Sequence, residues 1–220
     1  MDAAELILVE AAPLPYLLSL PGPAQAGSRT WPLLFFLHGH GEGAPSPLRL
    51  ALTLHGPLSP GGAAGAQQAF ILAAPQLPMR GDHWRSYAGE VSEILQELLS
   101  LYPVDRDRLY LTGFSFGGNG VFDLALEQPG RWAALWPVDP TRVPAEDPGL
   151  PVWLSLGQAS RGRAQGYIRR LSLEPAGEGE PGERVYLDEG LNHEHTARQA
   201  YRDGRIYRWL LSNKVGNKSP

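Results

Sequence analysis

Apolar positions along the chain follow two periods that alternate from one end to the other. Leu6-Ile7-Leu8-Val9 and Tyr16-Leu17-Leu18-Ser19-Leu20 are short apolar runs separated by a proline-containing turn, and they predict two opening strands. Leu33-Leu34-Phe35-Phe36-Leu37 is apolar without a break, as a central strand buried on both faces must be, and it runs into His38-Gly39-His40-Gly41-Glu42-Gly43. Phe70-Ile71-Leu72-Ala73-Ala74 predicts a further strand, stopped by Pro75. The period then lengthens: Val91, Ile94, Leu95, Leu98 and Tyr102 recur every three or four residues, which predicts an amphipathic helix closed by Pro103. Arg108-Leu109-Tyr110-Leu111-Thr112 reads as a strand leading into Gly113–Gly118. Beyond it Val121, Phe122, Leu124 and Ala125 mark one face of a helix that ends before Pro129-Gly130.

The alternation continues with strands over Ala133–Val138, Val152–Leu156 and Val185–Leu187. Helices are predicted over Ala164–Leu173 and Ala197–Ser212, the last with Ala200, Ile206, Trp209 and Leu210 facing inward. Strand and helix in turn imply right-handed crossovers, hence an α/β fold: a mostly parallel central sheet with helices on both faces. At 220 residues the chain suits one domain spanning residues 1–220. The low-complexity stretch Glu174–Gly182 reads as a loop within it, and there is no internal repeat.

Composition narrows the function classes. A hydrophobic fraction of 43% with 19% charged residues suits a globular interior. A net charge of -4 carries no electrostatic footprint for nucleic acid, so none is expected as a partner. The densest basic cluster, Arg161, Arg163, Arg169 and Arg170, reads as a solvated helix face. The absence of cysteine excludes disulfides, thiolate metal sites and cysteine nucleophiles. The acidic start Met1-Asp2-Ala3-Ala4-Glu5 is unlike a secretory signal, and no apolar run reaches the roughly 20 residues that span a bilayer. A cytoplasmic protein with no membrane insertion is the expectation.

Gly113-Phe114-Ser115-Phe116-Gly117 carries the chemistry. As a bare G-x-S-x-G pattern it means little in a chain with 26 glycines; its placement between a strand and a helix gives it weight. So sharp a turn holds a serine in a strained conformation and lifts its hydroxyl above the sheet, while the next helix directs N–H groups at developing negative charge. The bland alternative is a serine that merely caps the helix. The placement favours Ser115 as a nucleophile.

The longer run Val104–Gly118 resembles the elbow region of α/β-hydrolases, and is most similar to their phospholipase/carboxylesterase and esterase-type polyhydroxyalkanoate depolymerase branch. Leu37-His38-Gly39-His40-Gly41-Glu42 resembles that branch's oxyanion loop, Ala74-Pro75-Gln76 its following strand end, and Gly190-Leu191-Asn192-His193 its histidine loop. The resemblance covers about Trp31 to Trp209. It implies an α/β-hydrolase fold and a carboxylesterase-type serine hydrolase needing no cofactor and no metal. His193 would be the general base, and the backbone N–H groups of His40 and Phe116 the oxyanion hole. His38 would brace the loop.

The third triad member departs from the pattern. The family's acid usually follows the strand before the histidine strand, yet Gly157-Gln158-Ala159-Ser160-Arg161-Gly162-Arg163 contains no carboxylate. Asp139, one strand nearer the nucleophile, keeps the order Ser, Asp, His. It stands equally well as the opening residue of an Asp-Pro turn. Asp188, Glu189 and Glu194 are closer to His193 in sequence, and Gln158 or Ser160 could hold the imidazole through a neutral hydrogen bond.

Short connections predict no large cap domain, hence an open site suited to small or extended soluble esters. Trp84, in the loop Leu77–Ser86, either walls the pocket or packs that loop onto the sheet. Two competing readings accompany the esterase: a catalytically impaired binding or regulatory protein, suggested by the missing acid, and a metallohydrolase built on His38, His40, Glu42, His193, Glu194 and His195. The metallo-β-lactamase-like pattern would need a further acid–histidine pair where Gly43-Ala44 stands. Oligomeric state is not readable.

Overall fold

The alternating pattern builds one eight-stranded sheet. The computed structural model describes residues 6–22, 29–63, 65–173, 184–187 and 190–216, with backbone alone at 184–187. The segment Met1–Glu5, the loop Glu174–Gly182, Asp188 and Glu189 fall outside the described residues. Strands β1 (Leu6–Val9), β2 (Tyr16–Ser19), β3 (Trp31–Leu37), β4 (Ile71–Pro75), β5 (Val104–Phe114), β6 (Ala134–Val138), β7 (Trp153–Leu156) and β8 (Arg184–Leu187) lie in the order β1-β2-β4-β3-β5-β6-β7-β8. Strands β1, β2 and β4 pair antiparallel; β4, β3, β5, β6, β7 and β8 are parallel neighbours.

Burial on both faces explains the unbroken apolar strands. Along β3, Leu33, Phe35 and Leu37 point into one core and Leu34 and Phe36 into the other, the two-residue alternation of any strand. The first core is covered by α3 (Ala88–Leu101), α4 (Phe116–Glu127) and α5 (Ala164–Leu171). The second is covered by α1 (Leu48–Leu52), α2 (Ala66–Ala69), α6 (His193–Arg202) and α7 (Gly204–Ser212). On α3 the buried Val91, Ile94, Leu95 and Leu98 are the predicted stripe.

The C-terminal region differs from the single helix expected over 197–212. Asn192 caps a helix that begins four residues earlier, its side chain accepting the His195 N–H. Asp203 then ends α6 and caps α7 by accepting the Arg205 N–H at 2.9 Å. The first cap moves the helix start earlier, and the second overrides the continuous apolar periodicity. The short helices α1 and α2 carry too few apolar positions to show a period.

Candidate active site

All the proposed functional segments leave the carboxyl ends of parallel strands, where crossovers open a crevice. Strand β3 delivers the His38–Gly43 loop, β5 delivers Ser115, β6 delivers Asp139, β7 delivers Gly157–Ser160, and β8 precedes α6, which starts with His193.

Ser115 sits at φ 57° and ψ −114°, a strained backbone for a residue with a side chain, directly before α4. Its N–H is held by the Val138 carbonyl at 2.9 Å. The flanking glycines are demanded by contact: a Cβ on Gly117 would strike the Leu37 carbonyl, and one on Gly113 the Gly117 carbonyl. The His38–Gly43 loop passes close by, since a Cβ on Gly39 would lie 3.4 Å from that of Ser115.

Three successive peptide planes of this loop are pinned. The His38 carbonyl accepts the Trp84 indole N–H at 3.0 Å, and the Gly39 N–H donates to Glu42 Oε2 at 2.5 Å. The Gly39 carbonyl takes His38 Nδ1–H at 2.7 Å, while His38 Nε2 accepts the Leu77 N–H at 2.9 Å, which fixes the tautomer. Burial pushes His38 down to about 4, so it stays neutral. The His40 carbonyl accepts the Gly81 N–H at 3.0 Å. Among the described residues, the backbone N–H groups of His40 and Phe116 make no hydrogen bond.

His193 Nδ1 lies 2.6 Å from Asp139 Oδ2. The Asp139 side chain is fully buried and its backbone is left-handed at φ 42°. The Gly157–Ser160 turn, where the sequence lacks a carboxylate, supplies donors to this one. Gly157 N–H (2.9 Å), Ser160 N–H (2.9 Å) and Ser160 Oγ–H (2.5 Å) reach Oδ1, and Ala159 N–H reaches Oδ2 at 3.1 Å. Burial alone would raise this carboxyl, but hydrogen bonds from His193, Ser160 and Ala159 outweigh it and hold it below the ordinary carboxylate range. Asn119 on α4 fixes the following turn through Thr141 and Arg142, and Tyr167 OH holds the Pro140 carbonyl. The His193 ring rests on Phe114 at 4.4 Å between centroids, and the His193 backbone N–H donates to Gln158 Oε1 at 3.0 Å.

The other sequence candidates are placed elsewhere. Ser160 and Gln158 do not touch the imidazole nitrogens; they hold the carboxylate and the His193 backbone. Glu194 is exposed on α6, 3.7 Å from Arg198. Trp84 is 1% exposed, with its ring edge-on to His38 and its Cβ and ring against Gly120, so the packing role fits it and the pocket-wall role does not. The exposed rings of His40 and His83 lie edge-on (4.9 Å) and stacked (5.4 Å) on Phe116, the residue after Ser115. Among the described residues, no three His, Asp or Glu side chains converge as a metal would require. Sequence reasoning overlooked His55, which contacts both Phe114 and Glu42, and the carboxylate cradle at Gly157–Ser160. A buried lone histidine leaves no pattern, but the vacated acid turn was a signal for the cradle.

Neither a scan against protein-family models nor a search of curated proteins finds a match. Solved structures do match. A thermostable esterase superposes with a TM-score of 0.71 at 20% identity over 96% of this chain and 63% of its own, so the chain spans less than two thirds of that protein. A mutant of the feruloyl esterase module from Clostridium thermocellum, complexed with sinapinate, gives 0.69 at 11% identity over 93% and 88%. The fluorophosphonate-binding serine hydrolase FphF of Staphylococcus aureus, with substrate bound, gives 0.64 at 15% identity over 95% and 98%.

Proposed function

The chain has the α/β-hydrolase fold, and from that premise we propose that it is a serine hydrolase cleaving carboxylic esters of small or extended soluble substrates through an acyl-enzyme on Ser115. The observation that carries this reading is the 2.6 Å contact between His193 and a buried, fully cradled Asp139, on the sheet edge where Ser115 occupies a strained elbow. That contact supports Asp139 as the triad acid, moved by one strand, over the impaired-site reading.

In this reading His193 Nε2 takes the Ser115 hydroxyl proton as Oγ attacks the ester carbonyl. The carbonyl oxygen becomes an oxyanion that accepts the free N–H groups of His40 and Phe116, donors typically worth about 3 kcal/mol each in the transition state. Collapse expels the alcohol, which receives the proton from His193. Water then enters, gives its proton to His193 and attacks the acyl-enzyme, and His193 returns that proton to Ser115 Oγ as the carboxylic acid is released. Asp139 holds the imidazole with Nδ1 protonated and offsets its charge when Nε2 is also protonated.

No helix lies in the β6–β7 connection, 139–152, which supports an open site. His40, His83 and Phe116 replace Trp84 as the groups facing substrate. Labelling by a fluorophosphonate probe tests the reading: the wild type should label and hydrolyse 4-nitrophenyl esters, and Ser115→Ala should do neither. A folded wild type that fails to label would overturn it.

A further inference from the structure

Glu42, in the loop that passes Ser115, and His55 are buried at 6% and 5% exposure, and the reaction as written uses neither. Each has an unpaired polar atom in the interior: Glu42 Oε1 and His55 Nδ1 have no hydrogen-bond partner. Glu42 Oε1 lies 3.8 Å from His55 Nε2. Burial pushes the Glu42 carboxyl up to about 7 and the His55 imidazole down to about 4. Interiors rarely keep two such groups where apolar side chains would fit, because unpaired polar atoms there carry a desolvation cost.

What they hold is a loop with glycine at positions 39, 41 and 43, which has little stiffness of its own. Glu42 bonds once within it and once to Gln76, just after β4. Its Oε2 accepts the Gly39 N–H, and its carbonyl accepts Gln76 Nε2 at 2.8 Å. With the Gly39 N–H captured, the next amide along, that of His40, makes no hydrogen bond among the described residues. His55 Nε2 lies 3.8 Å from Glu42 Oε1, and its ring packs on Phe114 at 4.8 Å. Phe114 also carries the His193 ring, so one aromatic contact links this pair to the base.

We propose that Glu42, oriented by His55, is a positioning residue for the oxyanion hole: it occupies the Gly39 N–H and thereby aims the His40 N–H at the carbonyl oxygen under attack. This rests on the esterase reading of Ser115. It makes the pair act on the transition state and leave ground-state binding alone.

The test uses the full chain with 4-nitrophenyl butyrate as substrate and propylboronic acid, which forms a tetrahedral adduct on the nucleophile, as the transition-state mimic. Glu42→Leu should lower kcat by about 10–100-fold with KM within about twofold, and weaken the boronic acid by a similar factor. Glu42→Gln, which keeps an acceptor oxygen for Gly39, should recover most of both. His55→Leu, which leaves Glu42 in place, should lower kcat and boronic acid affinity together by about tenfold, and it decides the matter should Glu42→Leu not fold. Wild-type kcat and boronic acid affinity in folded Glu42→Leu or His55→Leu would overturn the proposal, as would a loss seen in KM alone. A wild type that neither labels with fluorophosphonate nor turns over ester would overturn the esterase reading itself, a distinct outcome.

Discussion

Two side-chain-bearing residues at the candidate site have positive φ, Ser115 at 57° and Asp139 at 42°. Such conformations cost on the order of 1–3 kcal/mol each and persist only where surrounding bonds over-determine them. At Asp139 those bonds are the four donors of the Gly157–Ser160 turn and the His193 contact, so the strain is held by the same groups that keep the carboxylate ionised. Asp139→Asn keeps the shape and tolerates the left-handed backbone, but it loses the charge that selects the imidazole tautomer. Ester turnover should fall roughly 10³–10⁴-fold with the fold retained; near-normal kcat would remove Asp139 from the triad. Ser160→Ala removes one of the three bonds to Oδ1. Turnover should drop about tenfold, and because that bond helps hold Asp139 below the ordinary carboxylate range, the acid limb of the pH–kcat/KM profile should move to higher pH. An unmoved limb would show that Ser160 contributes nothing to the ionisation of Asp139.

At the scale of elements, the site is a set of strand ends brought level by the sheet. Gly117 packs against the Leu37 and His38 carbonyls and Gly118 against Val138 and Pro140, so α4 seats directly on the ends of β3 and β6. On the opposite face, α6 carries His193 at its first turn, and Asp203 fixes where that helix stops and α7 starts. Asp203→Ala should cost about 1 kcal/mol of stability, the usual worth of such a cap, read as a lower thermal midpoint at neutral pH. Burial opposes ionisation of Asp203, but the Arg205 bonds hold its carboxyl below the ordinary range, so the wild-type advantage should vanish in strong acid. An equal gap between variant and wild type at both pH values would contradict this assignment.

For the molecule as a whole, buried titratable groups set how stability depends on pH. His38 and His55 are held near 4 by burial against an ordinary 6.5, so the folded state binds fewer protons than the unfolded state between those values. Their contribution, on the order of 3 kcal/mol each, is complete above pH 6.5 and is lost as pH falls toward 4. Glu42 has the opposite sign. Raised from 4.5 to about 7, it favours the folded state below 4.5 and loses that contribution as pH rises through 7. Between pH 4.5 and 6.5 two groups oppose one, so the urea midpoint of the wild type should fall with decreasing pH. In Glu42→Gln, where the opposing group is gone, the fall should be steeper. Equal slopes would mean that Glu42 does not titrate in this range.

Much of this molecule follows from its sequence through local physics. Period alone located all eight strands and the helices Ala88–Leu101 and Phe116–Glu127, because a strand buried on both faces must be apolar throughout and a helix on a sheet must carry a stripe. Gly113, Ser115 and Gly117 were legible because a strand-to-helix turn so tight tolerates no Cβ at its flanks. The partition of the C-terminal helix was not, since Asp203 as a cap competes with an apolar period that runs on past it. Nor could sequence choose between Asp139 as a turn residue and Asp139 as the partner of His193. That choice depends on residues 54 positions apart meeting at 2.6 Å. It depends also on a turn between them that offers N–H and O–H donors where a carboxylate was expected. The pairing of Glu42 with His55 and the burial of Trp84 belong to the same class. Side-chain partnership across crossovers is decided only when the sheet brings its strand ends together, and no spacing along the chain records it.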